Sequence, residues 1–354
     1  MLSKIINTLK ELLKYYTHQD NPEAFEQLFS YIKKHLNSQL YYQEYTFNNK
    51  KSLVISNTKE YELDIIFGTH IDVVPIEDYT ISEDKENIYG RGTIDMKGSV
   101  AVLLELFNNL NTSKKVALFI TSDEEIDGNC TKELLKIYHS SLAIIPDGGT
   151  NFNLIKEEKG LLQLEVSIQT KSAHSSQPFN GENAIVSLYN IYQSLISKYP
   201  LPQSENDYRT SINLSILNGG TANNQVPSKA SMVLDIRHIA KDSKKEIIAF
   251  IKKLNSKLSL KILLEGPVFK TSLKNNEIQR FINISQQVLK RPIKVLGCES
   301  TSDAVYFSEH NIPTIIMNPE GYYAHCQNEY VNKKSLYKLY KIYEKFLESG
   351  DNNE

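Results

Sequence analysis

The chain has 354 residues, more than one compact hydrophobic core usually fills, so its length predicts two domains. Lysine and arginine number 40 against 42 aspartate and glutamate, and this net charge of −2 argues against a nucleic-acid partner. No apolar run approaches the roughly 18 residues that a membrane span needs, so no membrane association is expected. The odd, scattered cysteines Cys130, Cys298 and Cys326 favour a reduced, cytoplasmic setting.

Predicted helices and strands alternate over residues 1–160. Apolar residues at helical spacing predict an amphipathic helix over residues 1–16, and Pro22 after the cap residue Asn21 predicts the start of a second helix. SVAVLLELFNNL predicts a buried helix, and CTKELLKIYHS predicts a further one. Predicted strands are SLVIS, DIIFGTHIDVV, VALFIT and LAIIPD. This alternation predicts an α/β fold with a mostly parallel sheet sandwiched between helices.

The pattern changes near Gly160, where apolar and polar residues begin to alternate as in antiparallel strands. LLQLEVSIQT, INLSILN, ASMVLDIRH and KILLEG are the predicted strands, and two amphipathic helices lie between them. Their order predicts an α+β domain of the split-βαβ, ferredoxin-like kind. After Phe269 come a helix, the loop CESTSDAVYFSEH, the strand TIIMN and a last helix from about Lys333. We therefore expect residues 161–268 to be inserted into a catalytic domain formed by residues 1–160 and 269–354.

Acidic and imidazole side chains recur where the predicted strands of the first region end. They are His70, Asp72, Asp95, Glu124, Glu125 and Asp147. In a parallel sheet, ligand sites form beyond the carboxyl ends of the strands. Carboxylates that converge there without matching lysines or arginines repel one another unless cations bind them. The first hypothesis is therefore a hydrolytic metal centre.

Each of these signals also has a simpler interpretation. His70 and Asp72 could form a surface ion pair, and Asp95 could cap the helix that follows it. The two glutamates could be the charged first turn of a helix, and Asp147 could be an ordinary turn residue. The residues taken one by one leave these alternatives open.

The order of the motifs carries more information than any one of them. His-x-Asp at a strand end, GRG-x-x-DMKG, a Glu-Glu pair and a later acid resemble the co-catalytic zinc aminoacylase/desuccinylase/carboxypeptidase family. The resemblance continues through KSAHSS and LNGGTANNQVPSKASMVLDIRH in the inserted region, and through TSDAVYF and His325 near the end. It therefore covers nearly the whole chain.

The resemblance implies two divalent metal ions per chain, most simply zinc, with manganese or cobalt also suited to such ligands. One ion would be bound by His70, Asp95 and Asp147, and the second by Asp95, Glu125 and His325, so that Asp95 bridges them. The resemblance also implies that Glu124 is the general base. Asp72 would then orient His70.

Residues of the inserted domain receive roles from the same resemblance. It implies a homodimer in which His174 reaches the neighbouring subunit's metals and donates to the oxyanion. Arg237 and Asn213 are implied contacts of the substrate carboxylate, and Asn224 is a further candidate. From the residues alone, His174 could be a surface residue, Arg237 could pair with Asp235, and Asn224 could belong to a turn.

The implied activity is hydrolysis of the amide bond of an N-acyl amino acid or short peptide with a free carboxylate. The alternative within the family is succinyl-diaminopimelate desuccinylase of lysine biosynthesis. Two departures weaken that alternative: Cys298-Glu299-Ser300 precedes the TSD element instead of Gly-Gly, and Asp147 stands where Glu-Pro is usual. A catalytically silent binding or regulatory relative would lack a ligand or Glu124, whereas this chain retains them.

Overall fold

The computed structural model describes residues 1–204 and 207–349, which divide into two compact units. The first unit comprises Met1–Lys156, Thr271–Leu296 and the chain from Ser302 onward, and the second comprises Glu157–Lys270 and Gly297–Thr301. Within the described residues, no helix is long and apolar enough to span a bilayer. The predicted role of the inserted segment as a lid and dimerisation domain stays a prediction.

Helices and strands are numbered in chain order. The α-helices are α1 (Leu2–Leu12), α2 (Pro22–His35), α3 (Gly98–Asn108), α4 (Asn129–Leu134), α5 (Ala184–Lys198), α6 (Lys244–Leu254), α7 (Asn276–Leu289), α8 (Ala304–Glu309) and α9 (Lys333–Glu348). The strands are β1 (Tyr41–Phe47), β2 (Lys50–Ser56), β3 (Glu62–His70), β4 (Ser82–Glu83), β5 (Asn87–Tyr89), β6 (Val116–Thr121), β7 (His139–Ile145), β8 (Leu154–Glu158), β9 (Gly160–Gln169), β10 (Ala173–His174), β11 (Ser211–Gly219), β12 (Gln225–Val226), β13 (Lys229–His238), β14 (Leu258–Gly266), β15 (Phe269–Lys270), β16 (Val295–Cys298), β17 (Thr314–Ile316), β18 (Gly321–Tyr322) and β19 (Tyr330–Asn332).

The sheet of the first unit has a parallel centre. Strand β3 pairs in parallel with β6 on one side and β7 on the other, and β17 continues in parallel beyond β7. Strand β2 adds antiparallel to β6, and the β1–β2 hairpin closes this edge through Asn48 and Asn49, both with positive φ. The predicted α/β class with a mostly parallel sheet is confirmed.

The core of the first unit lies between this sheet and its helices. Helix α3 is buried from Gly98 to Phe107, as its uniformly apolar sequence predicts. Phe67 of β3 packs edge-on against Phe107 of α3 and Tyr343 of α9, with ring centroids 6.0 and 5.3 Å apart. Packing on a buried helix fixes the strand whose last residue is His70.

The second unit is a separate antiparallel sheet with helices α5 and α6 on one face. Its strand order is β11-β13-β9-β14, reached through a β-α-β-β-α-β connectivity, which is the predicted split-βαβ arrangement. Leu164 of β9 and Leu234 of β13 are buried in the same cluster as Leu188 of α5 and Ile247 of α6. Residues that alternate with these, such as Gln163, therefore point to the other face.

Several predicted elements need correction. Strand β1 was missed, because its sequence YYQEYTF lacks apolar alternation and this edge strand is largely exposed. The predicted loop CESTSDAVYFSEH begins at the end of β16 and contains helix α8. Helix α4 ends at Leu134, earlier than predicted, and β3 ends at His70, so Asp72 lies beyond the strand.

Candidate metal centre

Parallel strands of the first unit deliver the candidate ligands to one edge of the sheet. In the register of β3 and β6, His70 lies opposite Thr121, and the Glu124-Glu125 pair follows within a turn. Strand β7 runs parallel to β3 and ends at Ile145, two residues before Asp147. The carboxyl ends of the three strands therefore bring these side chains together.

His70 is buried at the centre of the group, with 2% of its side chain exposed. Its Nε2 lies 3.1 Å from Asp95 Oδ1 and 4.0 Å from Glu124 Oε2. On the other side of the ring, Nδ1 lies 3.1 Å from the carbonyl oxygen of Asp72 and 3.4 Å from its Oδ1. In the neutral imidazole, a hydrogen bond from Nδ1–H to Asp72 leaves Nε2 as the unprotonated nitrogen, and Nε2 is the atom that faces the carboxylates.

His325 approaches the same carboxylates from the loop between β18 and β19. Its Nε2 lies 3.1 Å from Asp95 Oδ2 and 3.2 Å from Glu125 Oε1. The backbone turns sharply here: Cys326 N donates to Tyr323 O, and both Tyr323 and His325 have positive φ. His325 thus meets one oxygen of Asp95 while His70 meets the other.

Asp72 is fully buried and organises the turn that carries the two glutamates. Its Oδ1 accepts the backbone N–H of Glu124 at 3.3 Å, and its Oδ2 accepts that of Glu125 at 3.0 Å. Two adjacent side chains can point toward one centre only if the chain turns between them. Asp72 therefore contacts the ring of His70 and also fixes this turn.

Asp95 lies in a kinked segment, Thr93–Lys97, directly before α3. The capping alternative is wrong, because the N-cap position of α3 is Lys97. Asp95 is joined to Met96 by a cis peptide bond. Behind it, Glu329 Oε1 accepts the backbone N–H groups of Ile94 at 3.0 Å and Asp95 at 3.2 Å.

The donor set fits divalent metal ions. Two groups of side chains offer ligand atoms that all lie within 4.8 Å of one another: His70, Asp95 and Glu125, and His70, Glu124 and Asp147. Mixed imidazole and carboxylate ligands suit zinc, and also manganese or cobalt. The alternative of a surface ion pair for His70 and Asp72 is wrong, because both side chains are buried.

The pKa shifts of the clustered side chains reflect burial and their closeness to one another. Burial, reinforced by Asp95, raises the pKa of Asp147 to about 7, and burial raises the pKa of Glu124 well above its usual value. Burial opposes protonation of His70, but the carboxylates around it outweigh burial and raise its pKa. Hydrogen bonds to Asp95 and Glu125 raise the pKa of His325 to about 10. Burial and mutual repulsion therefore both oppose ionisation of these acids, and a bound cation would favour their ionised forms.

Two buried acids beside the centre were not singled out by the sequence. Glu329 supports Asp95 and forms a buried ion pair with Arg91 at 2.7 Å. Asp303 of the TSD element accepts from Thr131 Oγ1, and burial raises the pKa of Asp303 to about 8. Arg91 in the GRG motif could have indicated Glu329, because an arginine that becomes buried needs a carboxylate partner. The partner lies 238 residues away, so the sequence did not indicate which carboxylate pairs with Arg91.

The remaining predicted residues lie in the second unit. His174 is exposed in the two-residue strand β10, and its Nδ1 lies 2.8 Å from Ser176 Oγ. Asn213 on β11 donates to Ser215 Oγ, and Arg237 on β13 donates through Nε to Asp235 Oδ1 at 3.0 Å. Asn224 lies in an exposed turn before β12. The pairing of Arg237 with Asp235 is the local alternative that the sequence left open.

Comparisons with known proteins find relatives that are named as hydrolases. A family model described as peptidase family M20/M25/M40 matches residues 66–349. A LysW-lysine/LysW-ornithine hydrolase of Sulfurisphaera tokodaii is 30% identical over 78% of this chain and 75% of its own length. A succinyl-diaminopimelate desuccinylase of Rickettsia akari is 27% identical over 81% of this chain and 83% of its own length. An uncharacterized metallohydrolase of Methanocaldococcus jannaschii is 28% identical over 97% of both chains.

Solved structures share the fold over the full length. The aminopeptidase PepT of Bacillus cereus superposes with a TM-score of 0.79 at 18% identity, covering 99% of both chains. An M20 metallo-carboxypeptidase of Sulfolobus solfataricus gives a TM-score of 0.68 at 18% identity, covering 97% of this chain and 98% of its own. At these identities the likeness establishes the fold.

Proposed function

Because the chain belongs to peptidase family M20/M25/M40, a family of metallohydrolases, we propose that it hydrolyses the amide bond of an N-acyl amino acid or short peptide with a free carboxylate. The observation that carries this proposal is the convergence of two imidazoles on the two oxygens of Asp95. His70 Nε2 lies 3.1 Å from Oδ1 and His325 Nε2 lies 3.1 Å from Oδ2. This arrangement supports Asp95 as a ligand shared by two ions.

In the proposed centre, His70, Asp95 and Asp147 would hold one ion, and Asp95, Glu125 and His325 would hold the second. The placement of Glu125 Oε1 3.2 Å from His325 Nε2 supports the second set. When bound, two divalent ions would polarise the scissile carbonyl and lower the pKa of an attacking water.

Glu124 is the proposed general base, which takes a proton from the water and returns it to the leaving amine. Its Oε2 lies 4.0 Å from His70 Nε2, so the carboxylate borders the centre while Glu125 faces His325. Asp72 keeps the two glutamates in these different directions through their backbone N–H groups. It also holds the tautomer of His70 that leaves Nε2 available.

Further roles are proposed for residues of the second unit. His174 would donate to the oxyanion of the partner subunit's site in a homodimer, and Arg237, Asn213 and Asn224 would contact the substrate. The bond of Arg237 to Asp235 uses Nε, and the guanidinium carries further N–H groups that suit a carboxylate. The exposure of His174 supports a role toward a second molecule.

A second candidate is succinyl-diaminopimelate desuccinylase, favoured by the Rickettsia relative of that name. The segment before the TSD element weighs against it. There Glu299 forms an ion pair with the buried Lys159 at 2.5 Å. Here a paired, bulky side chain stands where desuccinylases typically have Gly-Gly, so this segment lacks the space that two glycines would leave.

A substrate panel tests the proposal. Amine release would be measured for N-acetyl and N-succinyl amino acids and for dipeptides, with the protein reconstituted in zinc, manganese or cobalt. We expect hydrolysis of one class, loss of activity with a chelator, and its return on adding metal. Preference for N-succinyl-diaminopimelate over the other amides would instead select the second candidate. Hydrolysis that survives full metal removal would contradict the proposal.

A further inference from the structure

Gln19 lies in the loop between α1 and α2, outside every motif singled out in the sequence, yet it bonds to two loops of the metal centre. Its Nε2 donates to the carbonyl oxygen of Ser122 at 2.8 Å and to Asp72 Oδ2 at 3.3 Å. Its Oε1 accepts from Nζ of Lys50, the first residue of β2. One side chain therefore joins the segment after β3, the segment after β6 and a lysine.

The partners define the orientation of this amide. A carboxylate and a carbonyl oxygen both accept hydrogen bonds, so the Gln19 NH₂ group must face Asp72 and Ser122. An ammonium group only donates, so the amide oxygen must face Lys50. The reverse orientation would place oxygen against oxygen and NH₂ against ammonium. Glutamine is thus chemically matched to this position, whereas glutamate is not.

Both acceptors of the Gln19 amide, Asp72 and Ser122, lie next to residues of the proposed chemistry. Ser122 directly precedes the Asp123–Glu125 segment, and Asp72 accepts the backbone N–H groups of Glu124 and Glu125. The buried Asp72 carboxylate also contacts His70. Gln19 therefore holds Asp72 and the start of the glutamate turn in a fixed relation, while the positive charge of Lys50 polarises the amide toward Asp72.

We infer that Gln19 is a positioning residue for the metal centre and that Lys50 acts through it. This inference rests on the proposed function, since it assumes that Glu124 acts as base and that His70 and Glu125 bind metal. In the part of the chain that the structure describes, the Gln19 side chain bonds to Asp72, Ser122 and Lys50, none of which is a proposed metal ligand or the proposed base. It sets the direction of Asp72 and of the glutamate turn, so its loss should weaken metal binding and slow the chemical step.

The experiment compares four variants with wild type: Gln19→Met, Gln19→Glu, Lys50→Met and the double Gln19→Met/Lys50→Met. Gln27→Met is the matched control, because Gln27 is exposed on α2 and its side chain donates a hydrogen bond to Glu23, one turn away on the same helix, at 2.9 Å. Zinc affinity would be measured by competition with a chromophoric chelator, together with kcat and KM on the best substrate and the thermal unfolding midpoint.

We expect Gln19→Met to weaken zinc affinity and lower kcat, each by about 10-fold, with KM within about twofold; loss of a residue that orients ligands typically costs about 10- to 100-fold. Gln19→Glu should lower zinc affinity and kcat by more than Gln19→Met does, because its carboxylate would face the Asp72 carboxylate and the Ser122 carbonyl oxygen. Lys50→Met should lower zinc affinity and kcat by less than Gln19→Met does. Adding Lys50→Met to Gln19→Met should have little further effect on either quantity, since the two residues act through one contact. Gln27→Met should match wild type.

Two results would overturn the inference while leaving the proposed function intact: wild-type zinc affinity and kcat in Gln19→Met, or a lower unfolding midpoint with unchanged zinc affinity. If Gln19→Met fails to fold, Lys50→Met serves as the test in its place. Wild-type zinc affinity and kcat in Lys50→Met would then overturn the inference. A wild-type chain that binds no zinc and hydrolyses no amide would overturn the proposed function and this inference together.

Discussion

The metal centre of the first unit and the candidate residues of the second unit differ in where their partners come from. His70 pairs with Asp95 across 25 residues of sequence, and His325 pairs with Glu125 across 200. In the second unit each partner is two residues away: His174 with Ser176, Asn213 with Ser215, and Arg237 with Asp235.

This difference separates two kinds of functional residue. Long-range partners hold His70 buried and bring the half-exposed His325 onto the same carboxylates, so the geometry is fixed before any substrate binds, as metal ligation requires. Short-range partners leave His174 and Asn213 exposed and Arg237 41% exposed, so another molecule can replace each local bond at little cost. Changes in the first unit should therefore alter metal content and the chemical step. Changes in the second should alter substrate recognition or act across a dimer.

The largest effect is expected for Asp95→Ala. Its carboxylate is the proposed bridge, so its loss should reduce the occupancy of both ions and bring turnover to background. Elemental analysis of the purified, zinc-reconstituted variant would measure this. Asp20→Ala is the control, since the side chain of Asp20 is 94% exposed. Full occupancy of both ions in Asp95→Ala would rule out the bridge.

Glu124→Gln should lower turnover by about 10³-fold while both metals remain bound, because it keeps the shape and removes the proton acceptor. Steady-state kinetics and metal content on the same preparation would measure this. Glu125→Gln is the companion variant and should instead lose metal. Should Glu124→Gln lose metal and keep activity, the roles of the two glutamates would have to be exchanged.

His174→Ala should lower turnover by about 10²-fold with metal content unchanged, as expected for removal of an oxyanion donor. Mixing it with Glu124→Gln chains should then restore activity, because each hybrid dimer has one intact composite site. Random reassortment of equal amounts gives up to about a quarter of wild-type activity. Verified hybrid dimers that stay inactive, or an active native monomer, would show that His174 does not act across subunits.

Arg237→Lys should raise KM by about 10-fold with little change in kcat, because lysine keeps the charge but loses the planar fork that matches a carboxylate. Asp235→Asn is the control for the local ion pair. If both variants raised KM equally, the pair itself, and not a substrate contact by Arg237, would explain the effect.

Sequence patterns predicted the parts of the fold that depend on local periodicity. The buried helix α3 and the strands ending near His70 and Thr121 follow from continuous apolar runs, and alternation predicted the antiparallel sheet of the second unit. Strand β1 could not be predicted from periodicity, because an exposed edge strand held by hairpin pairing needs no apolar pattern.

The sequence predicted the candidate ligands of the site, but it did not predict the residues that support them. Order along the chain pointed to His70, Asp95 and the glutamate pair, because each follows or ends a recognisable motif. Glu329 and Gln19 reach the centre from segments 234 and 53 residues away, respectively, and carry no local pattern of their own. Such residues are found only once tertiary structure shows which buried polar groups need partners.

Anomalous diffraction from crystals of the zinc-loaded protein tests the central claim most directly. The account predicts two zinc peaks about 3.5–4 Å apart, with one oxygen of Asp95 toward each peak. His70 should ligate one ion and His325 the other, with Glu124 bound to neither. A single peak between the two histidines, or Glu124 as a metal ligand in place of Glu125, would contradict it.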